Sequence, residues 1–257
     1  MADTEWALAL FRRSVLKQRK LAEITAVLGP TAGLRCLDLG SDNGVVSLLL
    51  RRGGGDWASA DMTEESVDSI RELVGSDVHR VAGGRLPFRD AEFDRVVVVD
   101  MLEHVDDDRA FVLELARILK PGGRLVVNTP HLMDTRLRRI RHRLGQTDER
   151  HGHVRPGYTA EALAALLEPR FALEGHRTYS RAPTEMVDAA IQLALAGTGK
   201  KGSAKGVVVT GGDLKKHRAL FRAYSLVYPA LWAVSRLDLL LPWTSGYMLI
   251  AGATRRR

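Results

Sequence analysis

The stretch LDLGSDNG at residues 37–44 decides the fold. Its apolar start predicts a buried strand, and the glycines that follow let the backbone turn sharply and approach a ligand without a Cβ clash. Residues 45–52 continue with the spacing of an amphipathic helix. A strand that ends in a glycine-rich turn and leads into a helix is typical of α/β proteins, which bind ligands at that end of the sheet.

Strands and helices alternate over the first half of the chain. Further strands are predicted near 57–60, 78–81, 95–99, 124–128, 171–179 and 247–251, and further helices at 5–28, 64–74, 107–119, 136–143 and 159–168. The alternation implies parallel strands with right-handed crossovers, and therefore a three-layer α/β sheet. Because ligands bind at the carboxyl ends of such strands, we expect the chemically active residues just after positions 39, 60, 81, 99 and 128.

Four further segments follow the first stretch in order. Asp61 ends the second predicted strand, LPF at 86–88 precedes FDRVV at 93–97, LEHV occupies 102–105, and LKPGGRL occupies 119–125. Together they cover about residues 34–130 and resemble the class I S-adenosylmethionine (SAM)-dependent methyltransferases of the small-molecule, methyltransferase-11-like type. The resemblance implies a Rossmann-like, seven-stranded sheet, mostly parallel with the last strand antiparallel. It also implies SAM as cofactor and S-adenosylhomocysteine as product.

The resemblance assigns the cofactor to the first strand ends. The implied cofactor-binding residues are Asp38, Gly40, Ser41, Asp42, Gly44, Asp61, Met62, Gly83 and Asp100. Asp61 is expected to accept hydrogen bonds from the ribose hydroxyls, although an aspartate at a helix start is often only an N-cap.

The sequence departs from the family pattern at two places. Asp42 replaces the usual middle glycine, and aspartate tolerates a left-handed backbone better than most residues. Residues 81–84 contain no acid for the adenine amine, which leaves adenine to backbone groups and to apolar packing by Leu86 and Met62.

Histidines are the candidate bases for methyl transfer, which needs alignment, exclusion of water and a base when the acceptor carries a proton. His104 and His153 are the predicted catalytic residues, although His104 would also serve as a structural histidine at a helix start. The predicted acceptor-binding residues are His131, His151, Arg155 and Tyr158, and residues 151–158 resemble a segment that closes over substrate in methyltransferases of surface-polysaccharide and lipid-linked pathways. No third ligand is evident beside His151 and His153, so the sequence predicts no metal site.

Positive charge is concentrated in the second half of the chain. The net charge is +7, yet residues 1–130 carry 17 Lys and Arg against 21 Asp and Glu, whereas residues 181–257 carry 12 against 4. Five arginines between 136 and 143 share a segment with apolar residues at near-helical spacing. Such a basic helix is a solvated face, a contact for an anionic membrane surface, or a contact for nucleic acid.

The predicted domains are an N-terminal helix at 1–30, a SAM-binding core at 31–180, a helical C-terminal insert at 181–245, and a last strand with a basic tail at 246–257. The insert is rich in apolar and aromatic residues and predicts a membrane-proximal helix pair, with a cap on the sheet or a homodimer interface as alternatives. The single cysteine, Cys36, fits a reducing compartment. No signal-peptide pattern and no spanning apolar run is found, so we expect a cytoplasmic protein, peripheral at the inner membrane face.

The combined features predict a SAM-dependent methyltransferase that acts on a small or lipid-linked acceptor, such as a glycan or isoprenoid intermediate. Two alternatives remain open. An RNA methyltransferase would use the basic helix, although no RNA-binding module accompanies it. A non-catalytic partner protein would keep the fold without binding SAM. The sequence does not distinguish oxygen, nitrogen and carbon acceptors.

Overall fold

A seven-stranded sheet forms the centre of the protein, in a computed structural model that describes residues 4–82, 84–143, 152–196 and 218–257. The strands are β1 (Arg35–Leu39), β2 (Asp56–Asp61), β3 (Val78–Arg80), β4 (Phe93–Val99), β5 (Leu119–Pro130), β6 (Phe171–Tyr179) and β7 (Met248–Arg255). The helices are α1 (Glu5–Phe11), α2 (Val15–Leu28), α3 (Val45–Arg52), α4 (Glu64–Val74), α5 (Asp108–Ile118), α6 (Arg136–Arg143), α7 (Ala160–Leu167), α8 (Ala182–Ala196) and α9 (Arg218–Arg236). Two short 3₁₀ turns cover Leu102–His104 and Leu237–Leu240.

The strand order is β3-β2-β1-β4-β5-β7-β6. Strands β1 to β5 are parallel, and β7 inserts antiparallel between β5 and β6. The predicted Rossmann-like sheet with an antiparallel last strand is thereby confirmed, and β5 and β7 are longer than predicted. The order reverses between β1 and β4, which opens a crevice at their carboxyl ends where ligands of such sheets bind.

The central strands are apolar because both faces of the sheet are covered. In β4, three consecutive valines, Val96 to Val98, are fully buried. Alternate residues belong to different cores: Val96 and Val98 pack with Leu37, whereas Val97 packs with Cys36 on the opposite face. This period of two is the geometry of a strand buried on both sides.

The N-terminal segment differs from its prediction, because the single helix at 5–28 is interrupted at residues 12–14. Ser14 is extended and its hydroxyl accepts a hydrogen bond from the backbone nitrogen of Lys17 (3.3 Å), which starts α2. The amide of Gln18 donates to the carbonyls of Phe11 and Arg12, both at 3.1 Å. An N-cap within a helical pattern thus makes two helices where the apolar spacing alone predicts one.

The C-terminal insert is helical in its described parts, while residues 197–217 lie outside the described residues. Helices α8 and α9 pack against each other. The carboxylate of Asp238 accepts hydrogen bonds from the backbone nitrogens of Arg181 (2.8 Å) and Thr184 (3.1 Å), so the residues after α9 cap the start of α8. Gln18 donates to the hydroxyl of Tyr228 (2.9 Å), which joins α9 to α2. The domain boundaries themselves stay a prediction.

The helices of the protein were compared with the length and hydrophobicity of a membrane-spanning segment. Among the described residues, no helix combines the length and the hydrophobicity that crossing a bilayer requires.

Gly246 provides a test of the sheet edge. An added Cβ would lie 2.6 Å from the backbone nitrogen of Tyr179 and closer still to its carbonyl group, at the end of β6. We expect Gly246→Ala to lower the free energy of unfolding by about 2–4 kcal/mol, because backbone atoms cannot move aside cheaply. Gly175 on β6 faces open space, so Gly175→Ala should change it by less than about 0.5 kcal/mol. Equal urea midpoints for the two variants would contradict this account.

Candidate active site

The turn after β1 adopts backbone conformations that few residues tolerate. Gly40 has φ of 91°, and a Cβ there would lie 2.9 Å from the Cβ of Met101 and closer still to the Val99 carbonyl. Gly44 has φ of 78°, and a Cβ there would lie 2.7 Å from the Cα of Ile70 in α4. Asp42 has φ of 53°, so the expectation that aspartate accepts the left-handed conformation is confirmed.

Asp38 holds this turn from the inside. Its fully buried carboxylate accepts hydrogen bonds from the hydroxyls of Ser41 and Ser47, both at 2.6 Å. The other carboxylate oxygen accepts from the Ser59 hydroxyl (2.7 Å) and the Arg51 guanidinium (3.3 Å). The side chains of Asp38 and Ser41 therefore join β1, α3 and β2, and their direct contact with a cofactor stays a prediction.

Asp61 is the last residue of β2 and lies beside the turn after β1. Its fully buried carboxylate accepts hydrogen bonds from the backbone nitrogens of Asp42 (3.3 Å) and Met62 (2.7 Å). Met62 is partly buried beside it, whereas Leu86 is 1% exposed and packs within the core. Of the two candidates for packing on adenine, Met62 is therefore the more accessible. Gly83 lies outside the described residues.

Two lysines of α2 reach the same end of the sheet and are absent from the predicted site. Lys20 forms an ion pair with Asp100, whose other carboxylate oxygen accepts from the amide of Asn128 (2.6 Å). Although burial opposes it, the carboxylate of Asp100 raises the pKa of Lys20. Lys17 donates to the side-chain oxygen of Asn43 in the turn (2.9 Å), and burial lowers its pKa. Their spacing of three residues puts both on one helix face, the only signal the sequence offers.

The carboxylates at these strand ends have the chemistry to bind SAM. Carboxylates of Asp42, Asp61 and Asp100 follow β1, β2 and β4, and SAM carries a sulfonium and an ammonium beside a ribose with two hydroxyls. Carboxylates favour nearby cations and accept hydrogen bonds from hydroxyls. Asp61 would hold the ribose, and Asp42 and Asp100 would face the cationic part.

The two predicted catalytic histidines lie side by side. His104 is in the short turn after β4, and its Nδ1 lies 3.0 Å from the carbonyl oxygen of Gly152. This contact assigns the N–H to Nδ1 and the lone pair to Nε2. The ring of His153 lies edge-on to that of His104, with centroids 4.8 Å apart.

Arg155 and Tyr158 anchor the loop that carries His153. The guanidinium of Arg155 donates to the carbonyls of Leu102 (3.1 Å) and Asp106 (2.8 Å). The hydroxyl of Tyr158 donates to the carboxylate of Asp108 (2.8 Å), and burial raises its pKa. These bonds fix residues 152–158 on the turn after β4. Contact of the two side chains with an acceptor stays a prediction.

Of the remaining predicted acceptor residues, His131 is described and pairs with Tyr158 in an isolated β-bridge. The Nδ1 of His131 pairs with the carbonyl of Gly246 (2.9 Å), just before β7. His151 lies outside the described residues.

Glu103 belongs to the cluster but not to the predicted site. Its side chain is 1% exposed, and one carboxylate oxygen accepts from the hydroxyl of Thr129 (3.1 Å). The other oxygen, Oε1, accepts no hydrogen bond from any described residue. Burial and the nearby Asp100 carboxylate raise the pKa of Glu103 to about 8. A glutamate inside an otherwise apolar segment beside a histidine is the signal that would have found it.

Comparisons with known proteins support the resemblance to methyltransferases. Residues 37–127 match the family model described as a methyltransferase domain. A demethylmenaquinone methyltransferase from Tropheryma whipplei is 35% identical over 104 residues, which are 39% of this chain and 44% of that protein. A ubiquinone biosynthesis O-methyltransferase from Ralstonia nicotianae is 32% identical over 108 residues, 40% of this chain and 45% of that protein. The chain thus spans less than half the length of these curated relatives.

Solved structures extend the likeness to nearly the whole chain. The cyclase SpnF has a TM-score of 0.62 at 19% identity, covering 93% of this chain and 81% of that one. A SAM-dependent methyltransferase from Mesorhizobium loti has a TM-score of 0.57 at 17% identity, covering 91% and 96%. At these identities the likeness shows the fold alone. The fold is that of the class I methyltransferases. Residues 37–127 therefore match a methyltransferase domain, within a chain that has this fold.

Asp38 gives a test of the turn. We expect Asp38→Asn to lower the free energy of unfolding by about 2–4 kcal/mol, because an amide nitrogen cannot accept from the buried hydroxyls and leaves Arg51 without its charge partner. Asp56→Asn, at the exposed start of β2, is the matched control and should cost less than about 0.5 kcal/mol. Chemical denaturation measures both, and a loss that is equally small in both variants would show that Asp38 does not hold the turn.

Proposed function

We propose that this protein transfers the methyl group of SAM to a small, apolar or lipid-linked acceptor at the surface of an anionic membrane. The methyltransferase class rests on the family match and on the carboxylates at the ends of β1, β2 and β4. The acceptor class rests on one observation, an exposed apolar surface in the C-terminal insert. Two relatives are named for menaquinone and ubiquinone synthesis, and an isoprenoid quinone intermediate has the chemistry that this surface suits.

The donor end would bind and orient. SAM, when bound, supplies a methyl group made electrophilic by its sulfonium. Asp61 would accept hydrogen bonds from the ribose hydroxyls, and Asp42 and Asp100 would stabilise the positive charge nearby. Lys20 offsets part of the charge of Asp100, which limits the repulsion among the three carboxylates.

The acceptor end would exclude water and take a proton. The loop at 152–158 covers the turn after β4 and brings His153 beside His104. Nε2 of His104 would hold the proton that a hydroxyl acceptor releases, because Nδ1 keeps its own proton on the Gly152 carbonyl. The SpnF likeness shows that this fold also occurs in a cyclase, so the assignment to methyl transfer depends on the residues and not on the fold.

We call the exposed apolar surface of α9 and of the residues that follow it the apolar ridge. It consists of exposed side chains that run from α9 to the loop before β7: Leu226, Val227, Trp232, Val234, Leu237, Leu239, Leu240 and Trp243. Their exposed fractions range from 41% for Val234 to 84% for Leu226. No charged residue lies between Arg222 and Arg236. Exposed apolar side chains in this number are typical of an interaction site, and with tryptophan they suit a membrane interface.

Cations accompany the ridge. The Arg236 guanidinium lies over the Trp232 ring, 4.6 Å from its centroid. Helix α6 packs against α8, as α9 does, and its arginines line a cleft of about 430 Å³ just after β5. The cleft residues are Leu132, Met133, Asp134, Arg138, Arg139, His142 and Arg143.

The basic helix does not present all of its charge to solvent. Arg141 is paired with Glu185 (3.5 Å) and Asp188 (3.3 Å) on α8. The exposed guanidinium groups of Arg136, Arg139 and Arg143 suit the anionic headgroups of a membrane whose apolar layer meets the ridge. Six of the eight ridge side chains are Leu or Val, and this combination of mainly aliphatic surface and cations favours a membrane over RNA, whose bases stack on aromatic side chains.

Asp61 provides the test of cofactor binding. We expect Asp61→Ala to weaken SAM binding at least about tenfold in calorimetry, because the ribose hydroxyls lose charge-assisted hydrogen bonds. Asp56→Ala, at the other end of β2, should bind SAM like the unaltered protein. Unchanged binding in Asp61→Ala would refute the ribose assignment, and an absence of SAM binding in the unaltered protein would favour the non-catalytic alternative.

The membrane proposal is tested by sedimentation with lipid vesicles. We expect the protein to sediment with vesicles containing phosphatidylglycerol and much less with pure phosphatidylcholine. The triple variant Leu226→Ser, Leu239→Ser and Trp243→Ser should bind at least about tenfold more weakly, because each buried apolar side chain contributes of the order of 1 kcal/mol or more. Leu113→Ser, on the exposed face of α5, is the control and should bind normally.

Two other outcomes would contradict the membrane proposal. RNA binding that falls steeply with salt would support the RNA alternative. A concentration-dependent dimer in buffer, lost in the triple variant and unaffected by vesicles, would assign the ridge to a homodimer interface.

A further inference from the structure

We propose that Glu103, His104 and His153 form a binding site for a divalent transition-metal ion, with zinc as the ion that fits best. Each residue offers one ligand atom, and these atoms all lie within 4.8 Å of one another. Tetrahedral zinc ligands stand about 3.4 Å apart when each bond is about 2.1 Å. Side-chain rotations that move each ligand atom by about an ångström would therefore close the cluster on an ion, with the backbone kept in place.

The histidine ligands are already oriented. His104 directs its Nδ1 to the Gly152 carbonyl at 3.0 Å, which leaves the lone pair on Nε2. Metal-binding histidines characteristically direct the other ring nitrogen to a carbonyl or carboxylate in this way. The same loop carries His153, and the backbone nitrogen of Val154 donates to the carbonyl of Glu103 (3.0 Å). One short segment thus supplies a ligand and the support for another.

Glu103 provides the independent observation. Its carboxylate is buried at 1% exposure, and Oε1 accepts no hydrogen bond from the residues that the structure describes. An unpartnered buried carboxylate is costly, and a bound cation removes that cost. Lys20, the nearby cation, is engaged with Asp100. Thr129 holds only the other oxygen of Glu103, and a carboxylate oxygen of Glu103 lies within 4.8 Å of a ring nitrogen of each histidine.

The ligand set decides the kind of metal. Two imidazoles and one carboxylate are a ligand set of catalytic zinc sites, in which a fourth position stays open. Magnesium prefers oxygen ligands alone, so it should bind poorly. The open position can hold an oxygen of the acceptor, a role that rests on the proposed function, whereas metal binding does not. With the ion bound, His104 is a ligand and not the base, and the ion lowers the pKa of a bound hydroxyl.

Zinc binding to the purified full chain tests the site. After removal of metals with EDTA, zinc is titrated in competition with a chromophoric chelator. We expect one zinc per chain, negligible competition by magnesium, and cobalt spectra with the visible bands of a tetrahedral complex. His153→Ala should weaken zinc binding at least about 100-fold, because one of three ligands is lost. His176→Ala, which removes an exposed histidine of β6, is the matched control and should leave it unchanged.

Three results would overturn the proposal. The first is that the unaltered protein binds zinc no more tightly than the combined Glu103→Gln, His104→Ala and His153→Ala variant does. The second is that His153→Ala and His176→Ala lose zinc affinity equally. The third is that His153→Ala binds zinc with normal affinity. Circular dichroism verifies that each variant is folded. SAM calorimetry on the EDTA-treated protein distinguishes failure of the metal site from failure of the proposed function, because none of the three ligands is among the residues proposed to contact SAM.

Discussion

The buried carboxylate of Asp38 is the interaction on which the cofactor end depends. Four donors from the turn after β1, from α3 and from β2 converge on it, so it fixes the relative positions of the segments that meet at the crevice. An ionised carboxylate in the interior is stable only when donors of this kind surround it. Once they do, the backbone after β1 has one path, through Gly40 and Asp42 in the left-handed region. The nitrogen of Asp42 then reaches Asp61, which joins the ends of β1 and β2.

Charge is arranged more finely than the totals for each half of the chain indicate. The first half is net acidic, which suits a cationic cofactor, yet Lys17 and Lys20 extend from α2 into the same region. Three carboxylates at adjacent strand ends would repel one another, and a lysine on Asp100 offsets part of that repulsion. The acidic end therefore combines a negative surface for the donor with internal cations that stabilise it.

Local sequence signals predict the strands and the turn but not the contacts between distant elements. The valines of β4 and the glycines after β1 each determine their own conformation, and both are as predicted. The break at residues 12–14 also has a local signal, the Ser14 N-cap. The apolar spacing on both sides of it nevertheless predicts a single helix. The pairing of Lys20 with Asp100 joins residues 80 positions apart, and no local pattern encodes it. The meeting of Glu103 and His153 is likewise not encoded locally, because it depends on a distant loop that Arg155 holds in place.

The two ends of the crevice share one short segment, and this constrains how the protein can work. Asp100 belongs to the proposed donor side and Glu103 to the proposed acceptor side, three residues apart after β4, and burial together with the charge of Asp100 raises the pKa of Glu103. Arg155 ties the acceptor loop to the Leu102 carbonyl between them. Because the backbone here is short and buried, a cation that binds on one side changes the electrostatic energy on the other. Donor and acceptor binding are therefore expected to be coupled through this segment, without movement of the sheet.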